Sequence, residues 1–482
     1  FDLGQNGDLN QDKYGWGRGG EDNFEAEQRV RLQMDAVASE SLSGTVFFEI
    51  GKAFWGKTTA NNIGGGAGGA LGADGVSIKV RRAYIDWMVP ETDLKLRMGL
   101  QGVALPSYTI GSSTVFDGDV AAVVANYKVN DNVSITGMWM RPFNDNYEPF
   151  AYKGEHGEDL VTSGSAGFMD NMDLGALVIP LTFDGVKVTP WGMYGAIGPN
   201  TFKRNESEWS GWGAGNYAWG ADGAYALRGL FPVGGAIHRD GTGSSKKLNQ
   251  YGQAWWAGIT GEITYWDPFR IAFDFTYGGV SWEDNSRLNR AGWLASLLFE
   301  YKLDWGIPGI YGWYGSGDNS NPADGSERMP TVDANNTNGF SNFAFNGHQY
   351  IGREEILSHG NMGGTWGVGV RLKDMSFIED LKHTLRVNLI GGTNSPTMAK
   401  KISLNGGWFD DNLIGSDGTY LTSMDTALEV GLTNTYKMYE NFTIQLDASY
   451  LAMWLDTSKS VWGARHRLGQ SIPGTADAWN IN

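Results

Sequence analysis

Apolar and polar residues alternate along much of this chain with a period of two. In "FRIAFDFTYGG", Phe269, Ile271, Phe273, Phe275 and Tyr277 share one face, and Arg270, Ala272, Asp274, Thr276 and Gly278 the other. That period marks a β-strand with unlike faces. The pattern recurs in "FEAEQRVRLQMDA", where Phe24, Ala26, Val30, Leu32, Met34 and Ala36 oppose Glu25, Glu27, Arg29, Arg31, Gln33 and Asp35. In "DLKLRMGLQ", Leu94, Leu96, Met98 and Leu100 oppose Lys95, Arg97 and Gln101. "QAWWAGITGEITYW" sets Trp255, Ala257, Ile259, Ile263 and Tyr265 against Thr260, Glu262 and Thr264. "FTIQLDASYLAM" repeats the arrangement, and "GWLASLLFEYKLD" does so except that Leu294 and Leu298 interrupt its polar side.

The connections alternate as well. Short ones at Ser39, Pro90, Asn130, Asp184, Asp267, Gly306 and Tyr439 are rich in turn-forming residues. Long ones run over 56–75, 142–171, 197–252, 318–360 and 394–419. Soluble sandwiches do not segregate their connections in this way, whereas bacterial membrane barrels do. The strands are long enough to cross hydrocarbon at a tilt, which takes roughly 9–11 residues. Aromatics gather at segment ends, at Trp87, Tyr127, Trp255, Trp266, Trp282 and Trp293, as interfacial girdles require. The pattern therefore predicts an all-β, antiparallel transmembrane barrel occupying residues 1–482 as one domain. Sixteen complete strands lie between Asp22 and Leu455. "FDL" at Phe1 and "AWNIN" at Trp479 read as parts of two seam strands, giving eighteen; sixteen is the alternative.

Composition sharpens this reading. Glycine counts 70 and aromatics make up 13%, which suits turns and outward-facing rings better than helices. With no cysteine, disulfides, thiolate metal sites and cysteine nucleophiles are excluded. The net charge of -17 offers no basic stripe for nucleic acid. No run of 18 apolar residues exists, so no membrane helix is expected. The opening "FDLGQNGDLN" lacks Met and reads as a processed chain. With 16–18 strands the interior would hold an aqueous channel rather than a packed core.

The charged first full strand "EAEQRVRLQMD", the segment "VRRAYIDWMVPETDLKLRMGLQ" after a Gly-rich loop, and the strand–turn–strand texture of the whole chain resemble the trimeric porins of Gram-negative outer membranes. The homotrimeric porins of sulfate-reducing bacteria are the nearest in texture. The resemblance implies a homotrimer in outer-membrane lipid and lipopolysaccharide, with passive diffusion of small hydrophilic solutes and ions. It also implies a third loop folded inward, here Gly102 to Asp119, whose only acids are Asp117 and Asp119. A substrate-selective channel for sugars or anions is the alternative within the same fold.

Alternation assigns a basic inner wall to Arg29, Arg31, Arg82, Lys95 and Arg97, and other inward polar positions to Glu25, Glu27, Asp86, Gln101, Glu262, Arg270 and Asp274; the inward third loop that the resemblance implies adds Asp117 and Asp119 to the pore lining. Val76, Ile78 and Val80 keep one phase and Ala83, Ile85 and Trp87 the other, so a bulge is expected at Arg81–Arg82. Across the "PETD" turn Arg97 should face Asp86. Such charges either set a transverse field on solutes or form structural ion pairs. Oxygen ligands cluster in "DNSNPADGSE" from Asp318 without EF-hand spacing, so calcium in the loops is the alternative to a solvated segment, and no other cofactor is expected. The aromatic loop with Trp209, Trp212, Tyr217, Trp219 and Tyr225 would stack on sugars or pack on itself. The acids Asp145, Glu148, Glu155, Glu158, Asp159 and Asp170 would attract cations or lie solvated. The six histidines are expected in loops and turns, with no catalytic partner.

Overall fold

The computed structural model describes residues 2–5, 11–12, 15–16, 23–56, 78–144, 151–153, 159–161, 171–198, 230, 250–282, 289–321, 324–333, 340–341, 362–399, 421–456, 458 and 475–481. Strand residues dominate them, and alternation is why: each strand has one face that must meet an apolar medium and one that must not. The strands are β1 (Asp2–Gln5), β2 (Asn23–Glu25, continuing as Glu27–Ser39), β3 (Leu42–Phe54), β4 (Ile78–Met88), β5 (Leu94–Ala104) and β6 (Asp117–Lys128). Then come β7 (Ser134–Asn144), β8 (Asn171–Val178, continuing as Leu181–Phe183), β9 (Val186–Ile197), β10 (Gly252–Ile263), β11 (Phe269–Ser281) and β12 (Arg290–Tyr301). The last are β13 (Ile307–Gly315), β14 (Thr365–Ile378), β15 (Leu381–Gly392), β16 (Thr426–Tyr439), β17 (Phe442–Trp454) and β18 (Thr475–Ile481). β8 is one strand despite its break. Val178 pairs with Trp191 and Leu181 with Val188 in a single register, and Pro180 between them has no N–H to donate.

Each strand pairs antiparallel with the next, and the ring closes. Leu3 of β1 pairs with Ile481 of β18 on one side and with Phe24 of β2 on the other. Among the described residues the barrel has eighteen strands, the number that the alternation and the two chain ends predict. Among the described residues closure gives every strand two neighbours, so no strand is left as an edge along its whole length. The connections obey the expected segregation. Short turns, such as those at residues 40–41, 184–185, 379–380 and 440–441, lie at one rim, and the strand ends that lead into the long connections lie at the other.

The outer face is apolar and exposed: Val30, Leu32, Met34, Ile259, Phe275, Leu297, Ile310, Val368, Leu389 and Leu446 all stand clear of the rest of the chain. Aromatics collect at the short-turn rim, where Tyr265 meets Trp266 edge-on and Trp305 stacks on Phe377. Trp87, Tyr127, Trp255 and Trp266 are exposed as a girdle requires, but Trp282 is not. It is fully buried, covering Gly252 on the inner side.

The interior departs from the purely aqueous channel expected from strand number. Inner positions on β7 to β13 form an apolar core, with Met140, Leu174, Trp191, Trp256, Leu298 and Trp313 buried. They are covered by two loops that fold into the barrel. Leu294 and Leu298, which interrupt the polar face of their strand in the sequence, are therefore core residues. Inner positions remain exposed on β2, at Arg31, Gln33 and Asp35, and on β17, at Thr443 and Gln445.

Candidate functional site

The site is the charged inner wall and the loop that crosses it. The connection between β5 and β6 supplies the loop. Its tip, Ser107–Thr109, reaches the inner faces of β10, β11 and β12 on the far side of the barrel. Asp274 of β11 is the anchor. It accepts from the Tyr108 backbone N–H at 2.9 Å, the Thr109 backbone N–H at 3.0 Å and the Ser107 hydroxyl at 2.7 Å. The hydroxyls of Thr109 and Thr260 also donate to Asp274. Arg270 donates from Nη2 to the Tyr108 carbonyl at 3.0 Å, and the Thr109 and Ser296 hydroxyls meet at 2.7 Å. The third loop thus lies inside the cylinder, as the resemblance implies, held by a wall carboxylate rather than by acids of its own.

A second inward segment follows β13. Val332 and Asp333 donate backbone N–H groups to the Val115 carbonyl, and Asp117 donates to that of Asp333 at 2.8 Å. The Trp256 indole N–H bonds the Pro330 carbonyl at 2.9 Å. Phe340 stacks on Tyr311 at 4.2 Å and lies 5.7 Å from Trp313. The two loops brace one another over the β7–β13 side of the bore.

Below them, toward the short turns, runs a chain of alternating charge. Lys187 of β9 contacts Glu262 of β10 at 3.2 Å, and Glu262 contacts Arg270 at 2.6 Å. Arg270 contacts Glu300 of β12 at 2.7 Å, and Glu300 contacts Arg371 of β14 at 2.7 Å. Register explains the last step. Glu300 pairs with Gly309, and Gly309 with Arg371. A Cβ at Gly309 would fall 3.1 Å from the Glu300 side chain, so the missing side chain lets the carboxylate span a whole strand.

Across the barrel, Arg97 grips Asp86 with two hydrogen bonds of 2.8 Å, from Nε and Nη2, while its guanidinium lies 4.2 Å over the Tyr84 ring. Lys95 stands 3.5 Å from the same carboxylate. The direct cross-strand pairing of Asp86 with Arg97 is what the hairpin predicts. Glu49 of β3, nearly inaccessible, collects Arg31 at 2.7 Å, Arg81 at 3.1 Å and Arg29 at 4.0 Å. The bulge is where phase predicts it. Phe47 pairs with Arg82 and Phe48 with Val80, leaving Arg81 as the extra residue. Arg81 and Arg82 both converge on Asp119, at 2.6 Å each. Asp119 pairs with Gly102 in the outer phase of these strands, shared by Leu100 and Ala121, so Asp119 and the Arg82 guanidinium stand at the outer side of the wall and not in the bore to which the sequence reading assigns them.

Several assigned residues have other surroundings than a bore. Gln101 is buried, its amide donating to the Ala122 carbonyl at 2.9 Å. Asp274 is consumed by the loop. His383 lies in β15 rather than in a turn, with Nδ1 2.6 Å from the Asn434 amide oxygen. The side chains of Glu25 and Glu27, the aromatic loop from Glu208, His359 and the side chains of the acidic loop after Pro142 lie outside the described residues. In the Asp318 segment, the Asn319 amide donates to Asp324 at 3.1 Å and to Glu327 at 2.8 Å. Among the described residues no three His, Cys, Asp or Glu side chains are arranged to hold a metal. Glu49, Arg81, Glu300, Arg371 and Lys187 are site residues that the sequence assignment lacks. Glu300 was visible on the polar side of its strand, and Glu49 as the one charge between Leu42 and Gly51.

No protein-family model matches this chain, and no curated protein matches it. Solved structures similar to it include Acinetobacter baumannii OccAB3, with 8% identity, a TM-score of 0.48, and coverage of 100% of this chain and 96% of that one. Pseudomonas aeruginosa OccK9 (OpdG) shares 9% identity at a TM-score of 0.47, covering 100% and 94%. The P. aeruginosa outer membrane protein opdK shares 8% at 0.44, covering 100% and 95%.

Proposed function

We propose that this protein is an outer-membrane porin that lets small hydrophilic solutes and ions diffuse through a water-filled bore. One observation carries the reading: a closed ring of strands whose outer face is exposed and apolar while its inner face carries paired charges. Only a bilayer rewards that inversion, since lipid hydrates no backbone group and water does not stabilise an apolar shell. The assembly that fits the resemblance is a homotrimer, set in lipopolysaccharide and phospholipid. The bore runs beside β2 and β17, where inner polar residues stay exposed, and Arg29, Arg31, Asp86, Lys95, Arg97, Glu262 and Arg270 supply its field.

Planar-bilayer recording of the purified oligomer tests this. A diffusion channel gives conductance that follows bulk salt. Saturable block by low concentrations of sugar or sulfate would instead establish the selective channel. Arg97→Glu places two carboxylates directly opposite each other on β4 and β5, where like charges repel. The reversal potential in a salt gradient should then move toward cations while the barrel still assembles. An unchanged potential would remove Arg97 from the bore.

A further inference from the structure

The barrel wall is not uniformly sealed. The β4–β5 ladder runs from Met88 opposite Lys95 to Ala83 opposite Leu100 and stops there, although β4 extends to Ile78 and β5 to Ala104. The two strands fork at Gly99, whose φ of 129° and approach to the Ala83 carbonyl admit no side chain. Above the fork lies a notch at the long-loop rim, and guanidiniums fill it. A methyl on Gly102 would fall 2.5 Å from Arg82 Nη2, so Arg82 lies against bare backbone. Gly102 pairs with Asp119 and keeps the phase of Leu100 and Ala121, which is the outer phase of these strands. Ile78 and Val80 stand exposed on the β4 side of the same notch.

Arg81 is tied at both ends, donating to Asp119 from Nε and Nη2 and to Glu49 from Nη1. Arg82 is not. Its Nε donates to Asp119 at 2.6 Å, its Cζ lies 5.7 Å from the Phe47 ring centre, and no described residue accepts from its two terminal nitrogens. Its side chain is 41% exposed. The cluster of Arg29, Arg31, Arg81 and Arg82 meets Glu49 and Asp119, with Asp117 close enough to act on Arg82.

A guanidinium with spare donors on the outer side of a barrel is costly in hydrocarbon and well placed one layer higher, among lipid headgroups. A planar guanidinium matches phosphate oxygens in a way that hydrocarbon or a neutral sugar does not. We propose that the notch holds the phosphate of an outer-leaflet lipid, with Arg82 as its direct ligand and Arg81 and Asp119 as positioning residues. This rests on the membrane reading above.

The test titrates the purified full chain in detergent with diphosphoryl lipid A, and separately with inorganic phosphate, read by native mass spectrometry. The expected result is saturable binding of one lipid per chain. Arg82→Gln should weaken it about tenfold or more, as loss of charge-assisted hydrogen bonds does. Gly102→Val, which fills the slot without removing a charge, should also weaken it, and Arg82→Lys should recover part of the loss. Heat-modifiable mobility on gels checks that each variant folds. Binding unchanged by both Arg82→Gln and Gly102→Val overturns the proposal. So does inorganic phosphate binding as tightly as the lipid, which would make the notch a site for free solutes. A third overturning result is Gly102→Cys, in a chain with no other cysteine, cross-linking two copies, because a second protein would then cover this face. Wild-type protein that conducts in bilayers but binds no lipid defeats the notch alone. Protein that forms no channel defeats the membrane reading itself.

Discussion

Asp274 shows what one inner carboxylate does in this barrel. Alternation in "FRIAFDFTYGG" places it on the inner face, but no local signal says that it receives two backbone N–H groups and two hydroxyls from Ser107–Thr109. Those partners lie far away in sequence, and only barrel closure brings them together. Arg97 and Asp86 were legible for the opposite reason. They flank a short hairpin whose register is fixed by the turn and by the two faces. Hydrogen bonds to a charged acceptor contribute about 1.5–3 kcal/mol each. Asp274→Ala should therefore release the loop tip while sparing the strands, and single-channel records should show larger, noisier openings. Asp274→Asn, which keeps an acceptor, should fall between. Current traces identical to wild type would mean that the loop is held elsewhere.

At the scale of elements, the Arg81 bulge separates register from phase. Deleting Arg81 straightens the β3–β4 ladder and leaves Ile78 and Val80 facing outward, so the barrel should still assemble. Deleting Leu446 from the unbroken central ladder of β17 forces part of that strand to swap faces. Heat-modifiable mobility should survive the first deletion and vanish with the second. The loop after β13 carries a titration of its own. Burial, and then Asp318 and Asp324, hold the Glu327 carboxyl above its ordinary range. A carboxyl raised in the folded loop favours its neutral form there. The resulting stability is present in acid and is lost as pH rises through the folded-state value. Proteolytic nicking of this loop should increase from acid to neutral pH, and Glu327→Gln should flatten that rise. A pH-independent wild-type loop would contradict the assignment.

For the molecule as a whole, strand number, closure and the segregation of turns from loops were all readable, because period and punctuation are local properties. The filled half of the interior was not. Leu294 and Leu298 were visible as exceptions on a polar face, but the loops that bury them are placed only by the closed ring. The net charge of -17 likewise says little about ion preference, because the described inner-wall acids are largely matched by arginine and lysine. An exterior this apolar should require detergent or lipid. Purified protein that stayed monodisperse in plain buffer would contradict the barrel's inside-out arrangement.

The inward loop also has a mechanical consequence. Ser107–Thr109 ties the wall of β5 and β6 to that of β10–β12, much as a spoke ties two points of a rim. A wide hollow ring of strands is easily squeezed into an oval. With that spoke in place, lateral pressure from the surrounding membrane would have to break the Asp274 contacts before the cross-section could flatten, so the shape of the opening does not follow the tension of its surroundings.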